Sequence, residues 1–569
     1  MRKINLHKTP QYSIMTGRIT ETTVKRIDSV MSGLFDKKTE SANHRQARTQ
    51  KEQKAKRKTR IVSISVVSAL ALVFLGALFV NSNFIRRTLP AVTIGGIKFS
   101  AAEFDYFYNS AFFEYNDWIN QQLADMPELV DSMLPSRDSP HSSQIYDPDT
   151  GDTWADFFSG RAMEQMSSLV QFYNTAMAAG FKITDETRDN VEYQVTGLLA
   201  EGEYYSSLDP QNYPNAESYL KRLYGGSMTE GVLRKILTFV YTAVTYSEQV
   251  RDGFAFSDAE IEAYYLENRD DLDVFRYRVL LVPAETVYES DYDTDEEFAE
   301  AEEAALVYAR NSAHEIAFEI FDEEGFIEAA LMYDEYSYPD GPSTLAEQQG
   351  ETLEPALIPW LMDEARYYGE VTTIDLDYGT AVLFYIERDD NDYYTTAMRQ
   401  MLFMRETVSP AEFEYGEDDP AYTEALIEAD SAARQRAEAV FDKFTFGGST
   451  EDKLLELIET EESDDTTEGG YYAGMTRFPY QYRSRNEFAM KVVPEIEDWL
   501  FSGYRQPGDS GLVSTEAYGY HLLYFMGYGQ RFRDLIATDR LVERDFTGWT
   551  ESLPEVEAKK NWAFLFTTF

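Results

Sequence analysis

The sequence predicts an α+β protein: a single transmembrane helix, a helical region, two successive α+β domains of one kind, and a returning C-terminal helix. Three observations predict it. One is a twenty-residue stretch without charge, and another is helical spacing of apolar residues from about 100 to 273. The third is an order of strands and helices that begins at Phe275 and starts again at Ala397. The expected boundaries are a tail at 1–60, an anchor at 61–82, a helical domain at 90–274, α+β domains at 275–390 and 394–530, and a C-terminal segment at 531–569. A chain of 569 residues has room for roughly three to five domains.

Charge separates the ends. The first sixty residues carry 16 Lys/Arg against 5 Asp/Glu, and the remainder 35 against 95, for a net formal charge of −49. The basic head lacks long apolar periodicity and reads as a disordered tail. Between head and body lies IVSISVVSALALVFLGALFV, residues 61–80, which as a helix would run ~30 Å, the thickness of a bilayer's hydrocarbon core. Lys54, Lys56, Arg57, Lys58 and Arg60 stand directly before it. By the positive-inside rule they stay in the cytoplasm, so the expectation is a single-pass cell-membrane protein whose C-terminal bulk is extracytoplasmic. A cleaved signal peptide would have a shorter apolar core, a shorter basic lead and a small-residue cleavage site, none of which is present.

The chain has no cysteine, which excludes disulfides, thiol nucleophiles and Cys-ligated zinc. An acidic body repels phosphates, so nucleic acid is excluded as a partner, and the acidity serves solubility. The string Asp147-Pro-Asp-Thr-Gly-Asp152 resembles a calcium loop, but its glycine comes one place early and the bidentate Glu is missing, so it reads as a solvated turn. No metal or cofactor is expected.

After the anchor, Ala91–Ser100 reads as a hairpin turning at Gly95-Gly96, and Ser100 with Glu103 forms a capping box that opens a helix. Met163, Met166, Leu169, Val170, Tyr173 and Met177 mark the apolar face of another helix, ended by Gly180. Further helix starts are read at Ser227, with Glu230, and at Ser257, with Glu260. Phe275–Val282 is then a strand, followed by an acidic loop and a helix from Glu296 to about Phe321. The same order returns with the strand Ala397–Phe403, a helix from about Ser431 to Phe444, a Gly-rich turn and a closing strand at Tyr520–Met526. The tail from Asp534 is helical and amphipathic and needs a partner surface, taken to be the helical domain.

The run Ala437–Phe478 resembles the helix, acidic loop and Gly-Gly turn of parvulins, and Val492–Phe525 resembles the parvulin end, with a P-G-x-x-S-G-x-V strand entry and a closing G-Y-H. Phe326–Ala330, Tyr336-Ser337, Leu353–Trp360 and Tyr378–Phe384 resemble a worn copy of it. Ser100–Phe104, Ala178–Glu186 and Ser257–Tyr265 look like the helical chaperone region of SurA/PrsA foldases. The resemblance covers roughly residues 90–569. It implies an extracytoplasmic folding factor whose partners are unfolded exported polypeptides, including Pro-containing segments.

The chemistry implied is rotation about an X-Pro amide, against a barrier of ~18–20 kcal/mol. It needs an apolar pocket and polar groups that weaken amide resonance, without a covalent intermediate. Carried over from the resemblance, the polar positions of the second copy are His521, Asp465 and Gln400, the last in place of a histidine. The pocket positions are Val492 and Ile496, with Phe501 behind them. In the first copy the two histidine positions hold Val279 and Ala381, and the acidic one falls near Pro339 or Asp340. The expected function is therefore chaperone binding with weak or vestigial peptidyl-prolyl isomerase activity in the second copy. The alternatives are a fully active isomerase and, more weakly, a structural surface protein. No G-x-S-x-G elbow supports a serine hydrolase.

Overall fold

A computed structural model describes residues 83–124, 126–136, 139–333, 344–484, 488–501, 503 and 505–567. Among them no helix is long and apolar enough to cross a membrane. This corrects the fold class and the localisation expected from the sequence. Over the described residues the architecture is mixed helix and sheet with no helix long and apolar enough to span a membrane, and the single-pass placement is withdrawn with it. The stretch 61–80 and the basic tail lie outside the described residues.

The chain divides into two compact units, one ending at Ala243 and completed by residues from Glu555 onward, the other Val244–Pro554. The first unit opens with the hairpin β1 (Pro90–Ile94) and β2 (Ile97–Ser100). Gly95 and Gly96 both have positive φ, +52° and +85°, as a two-residue turn demands. Ser100 caps helix α1 (Ala101–Gln122) reciprocally with Glu103. Helices α2 (Trp154–Ala178), α3 (Asp185–Leu208) and α4 (Ala216–Tyr224) follow, and α5 (Glu230–Asp252) contributes its first turns. Phe104, Phe158, Met166, Val170, Val195 and Leu233 meet in one core. The strand Ala558–Lys560 returns to pair antiparallel with β1, Val92 opposite Lys560.

Two local expectations shift. Helix α5 starts at Glu230, because Thr229 makes the first-turn contact while the Ser227 hydroxyl bonds Asn83 at 3.1 Å. The Asp147–Asp152 string closes a short hairpin in which Asp147 Oδ1 accepts from the amide of Asp149 at 2.8 Å.

The second unit begins before the expected domain limit at 274. Helix α6 (Asp258–Glu267) and Leu272 share a core with Phe532, Ile536, Phe478 and Tyr480. Two four-stranded antiparallel sheets follow. The first comprises β3 (Val274–Pro283), β4 (Leu345–Gln349), β5 (Val371–Leu376) and β6 (Gly379–Asp389), in the order β4-β3-β6-β5, with helix α7 (Asp295–Glu319) on one face. The second comprises β7 (Tyr394–Met404), β8 (Tyr471–Met475), β11 (Ser510–Ser514) and β12 (Gly519–Arg531), in the order β8-β7-β12-β11. Its helices are α8 (Pro420–Phe446), α9 (Glu451–Thr460) and α10 (Pro494–Phe501). Between its strands lies a hairpin of two two-residue strands, β9 (Tyr480–Gln481) and β10 (Phe488–Ala489).

The two sheets share strand order and register. Val279 faces Leu383 and Leu281 faces Ala381 in the first, and Gln400 faces Leu523 and Leu402 faces His521 in the second. Both closing strands start at a glycine pressed on the partner strand. A Cβ at Gly379 would lie 2.4 Å from the Val282 carbonyl, and one at Gly519 would lie 2.3 Å from that of Phe403. Helix α11 (Phe532–Ser552) then packs on α6, so the amphipathic tail finds its partner surface inside this unit.

Candidate functional site

Residues two apart on a strand share a face, and diagonal cross-strand neighbours are within reach of long side chains. In the second sheet this puts Gln400 of β7 and His521 of β12 on one face, with Tyr472 of β8 beside them. Met401, Phe403 and Leu522 turn the other way, into the core under α8 and α9. His521 is 3% exposed, and both ring nitrogens are engaged. Nδ1 lies 3.0 Å from Gln400 Oε1, which can only accept, so Nδ1 carries the proton. Nε2 then accepts from the Thr515 hydroxyl at 3.1 Å.

Next to Gln400, on the neighbouring strand, stands the Tyr472 hydroxyl. That hydroxyl donates to Asp465 Oδ1 at 2.9 Å and lies 2.6 Å from Thr467 Oγ1. Asp465 Oδ1 also accepts from the Thr467 amide at 2.9 Å, and its Oδ2 is buried without a hydrogen-bond partner. The three polar positions read from the sequence thus lie close together, His521 bonded to Gln400 and Asp465 bonded to the adjacent Tyr472. Val492, Ile496 and Phe501 pack on the same face, in a cluster with Met398, Leu500, Leu523 and Phe525. Ile496 is core rather than surface, at 4% exposed.

Sequence reading missed Thr515, Tyr472 and Thr467. Their only signal was position: Thr515 six residues before His521, and Thr467 and Tyr472 two residues to either side of the Gly469-Gly470 turn. A Cβ on Gly470 would sit 2.1 Å from the Gln400 carbonyl, so a side chain there would displace the strand that carries Gln400.

Burial pushes the His521 imidazole down to about 4 from 6.5, outweighing Asp465, which favours the charged form. A group depressed in this way gives its full stability above the unfolded value. As pH falls from 6.5 toward 4 the unfolded chain takes up a proton that the folded chain refuses, and up to about 3 kcal/mol is lost. His521→Gln is therefore expected to lose about 2 kcal/mol less than wild type between pH 7 and 4.5 in urea titrations. Parallel losses in both proteins would mean that His521 is not held neutral.

In the first sheet Val279 and Ala381 occupy the positions of Gln400 and His521, and residues 339 and 340 lie outside the described residues. A cavity of about 430 Å³ opens there, lined among others by Val279, Leu281, Leu357 and Ala381 and by the polar side chains of Tyr277 and Gln348, whose hydroxyl and Oε1 are hydrogen-bonded.

No family model matches the chain, and no curated protein matches it. Among solved structures it is similar to the crystal structure of PrsA from Bacillus subtilis, at 15% identity with a TM-score of 0.13, over 57% of this chain and 95% of that chain.

Proposed function

We propose that this chain is a folding factor that holds unfolded polypeptides, with weak or vestigial prolyl isomerase activity confined to residues 394–530. One observation supports it above the rest. Two sheets of the same order and register present one face each, the first an open cavity of mixed apolar and polar lining and the second a buried polar cluster. A cavity of this size, apolar at Val279, Leu281 and Ala381 with polar groups at Tyr277, Gln348 and Glu354, accepts one or two side chains of an extended chain. The cavity face is therefore assigned to holding.

The second face is assigned to residual catalysis through His521, Gln400 and Asp465, with Val492, Ile496 and Phe501 as its apolar wall. Twisting an X-Pro amide is eased by hydrogen bonds aimed at it in a dry site. His521 spends both nitrogens inside the protein, and the atom left over, Asp465 Oδ2, accepts only, whereas an X-Pro amide has no N–H to give it. These residues therefore offer the substrate amide little direct hydrogen bonding, and the activity is expected to be weak. Losing one positioned polar group from such a site costs ~2.7–4 kcal/mol of transition-state stabilisation, enough to bring a modest isomerase near background.

Two assays on the purified protein test the reading together. Aggregation of an unfolded client should be clearly suppressed, and protease-coupled proline isomerisation should be slow or absent. His521→Ala should remove residual isomerisation and leave holding intact. Val279→Glu, placing a charge in the cavity wall, should weaken holding several-fold and leave isomerisation unchanged. A full parvulin-like rate, or holding indifferent to Val279→Glu, overturns the assignment.

A further inference from the structure

A second cavity of the Val244–Pro554 unit, about 740 Å³, lies between the edge strand β4 and the short hairpin β9–β10. Three arginines line it: Arg251, Arg483 and Arg540. Arg540 is 5% exposed, yet its Nε and Nη1 are buried without a hydrogen-bond partner. Its Nη2 bonds Glu351 Oε1, the same oxygen that receives Arg483. Glu543 stands 3.7 Å from Nη1, beyond hydrogen-bond reach, and Arg251 is no nearer than 3.8 Å to Asp252.

Two described carboxylates beside the cavity are committed elsewhere. Glu347 is held by Arg276 and Lys491. Asp539 accepts from the Tyr480 hydroxyl at 2.7 Å, the Arg483 amide at 2.8 Å, and the Ser484 amide and hydroxyl. One carboxylate oxygen therefore serves two guanidiniums, in a chain with 100 acidic residues against 51 basic. Burial also pushes the carboxyls of Glu351 and Glu543 up, toward the neutral form. Guanidinium N–H groups left unpaired in a buried site are costly, and a carboxylate is the anion whose planar geometry suits them. Glu351 demonstrates the fit, since one of its oxygens already bridges Arg483 and Arg540.

We propose that this cavity is a carboxylate-binding site, in which the acid group of a ligand takes the free donors of Arg540 between Arg483 and Arg251. The two sources of that chemistry are a small carboxylic acid and the free C-terminus of a polypeptide. The inference does not depend on the folding-factor reading, because its test reads binding alone.

Calorimetric titration of the full chain would use succinate, a tripeptide with a free C-terminus, the same tripeptide as its amide, and inorganic phosphate. At least one carboxylate is expected to bind and the amide not to; binding of the tripeptide alone names a chain terminus, and binding of succinate alone a small acid. Arg483→Gln and Arg251→Gln alter more exposed side chains. Each should weaken binding roughly tenfold, the loss of one charge-assisted hydrogen bond. Failure of both carboxylates to bind, equal binding of the amide or of phosphate, or wild-type affinity in both variants overturns the proposal.

Discussion

Replacing Asp273 with alanine is expected to destabilise the Val244–Pro554 unit by about 3–5 kcal/mol, the cost of breaking a buried ion pair from one side. Asp273 is fully buried at the entry to β3. It accepts from the Tyr265 hydroxyl and from Arg388 Nε, both at 2.6 Å, and from Arg269 Nε at 3.3 Å. Alanine removes the acceptor and leaves a buried phenol and the Nε of a mostly buried guanidinium facing nothing. Arg388 keeps Asp270 at 2.7 Å, which limits the loss to one side of its fork. Asp273→Asn preserves the shape and part of the hydrogen bonding, so it should cost clearly less than alanine. A urea titration in which the two variants lose equal stability would show that the charge contributes little and the packing nearly all.

The second large effect is expected at Gly350, a few ångströms away in the same corner. A Cβ there would lie 1.7 Å from the carbonyl oxygen of Asp270 and 2.9 Å from Met362 Cε. The methionine tip can move aside, whereas the carbonyl is backbone. The Gly350 amide donates to the Asp273 carbonyl at 3.1 Å, which ties the same two segments together. Gly350→Ala must push the end of β4 away from the turn at Asp270, just before β3, and should cost about 3 kcal/mol, the upper end for overpacking. Gly160, inside helix α2 with nothing near its Cα, is the control. Gly160→Ala should be neutral or stabilise by up to about 1 kcal/mol. Equal urea midpoints for wild type and Gly350→Ala would contradict the close approach.

Legibility in the sequence followed the length of the periodic signal. Strands β3, β7 and β12 alternate or run apolar for seven or more residues, and each was found within a few residues of its limits. The sequence reading starts helix α8 late, at Ser431 instead of Pro420, because its first turns leave Leu426 and Ile427 exposed and bury nothing before Ala433. The hairpin β9–β10 was invisible, since two residues per strand carry no period. His521 and Gln400 were singled out by the resemblance of their segments to a known motif, and the register puts them on one face. Thr515 and Tyr472 were not, because cross-strand partners are set by register, which the hydroxyl groups themselves do not announce. The unit limit at 243 was hidden for a related reason: Tyr265 and Leu272 read as helix-domain residues but are buried against Phe532 and Ile536.

The glycines that begin the two closing strands separate what this architecture can let drift from what it must hold. Where the second sheet has His521 and Gln400 the first has Ala381 and Val279, yet Gly379 and Gly519 both stand under a partner carbonyl. The two sheets thus differ on the face that carries these side chains and agree at the corner, where the packing leaves no room for a single methyl group. A saturation scan of the first sheet should map the same boundary, tolerating several residues at 279 and almost none at 379. What the side chains of this face do can then change without the fold, and the geometry of two backbone contacts cannot.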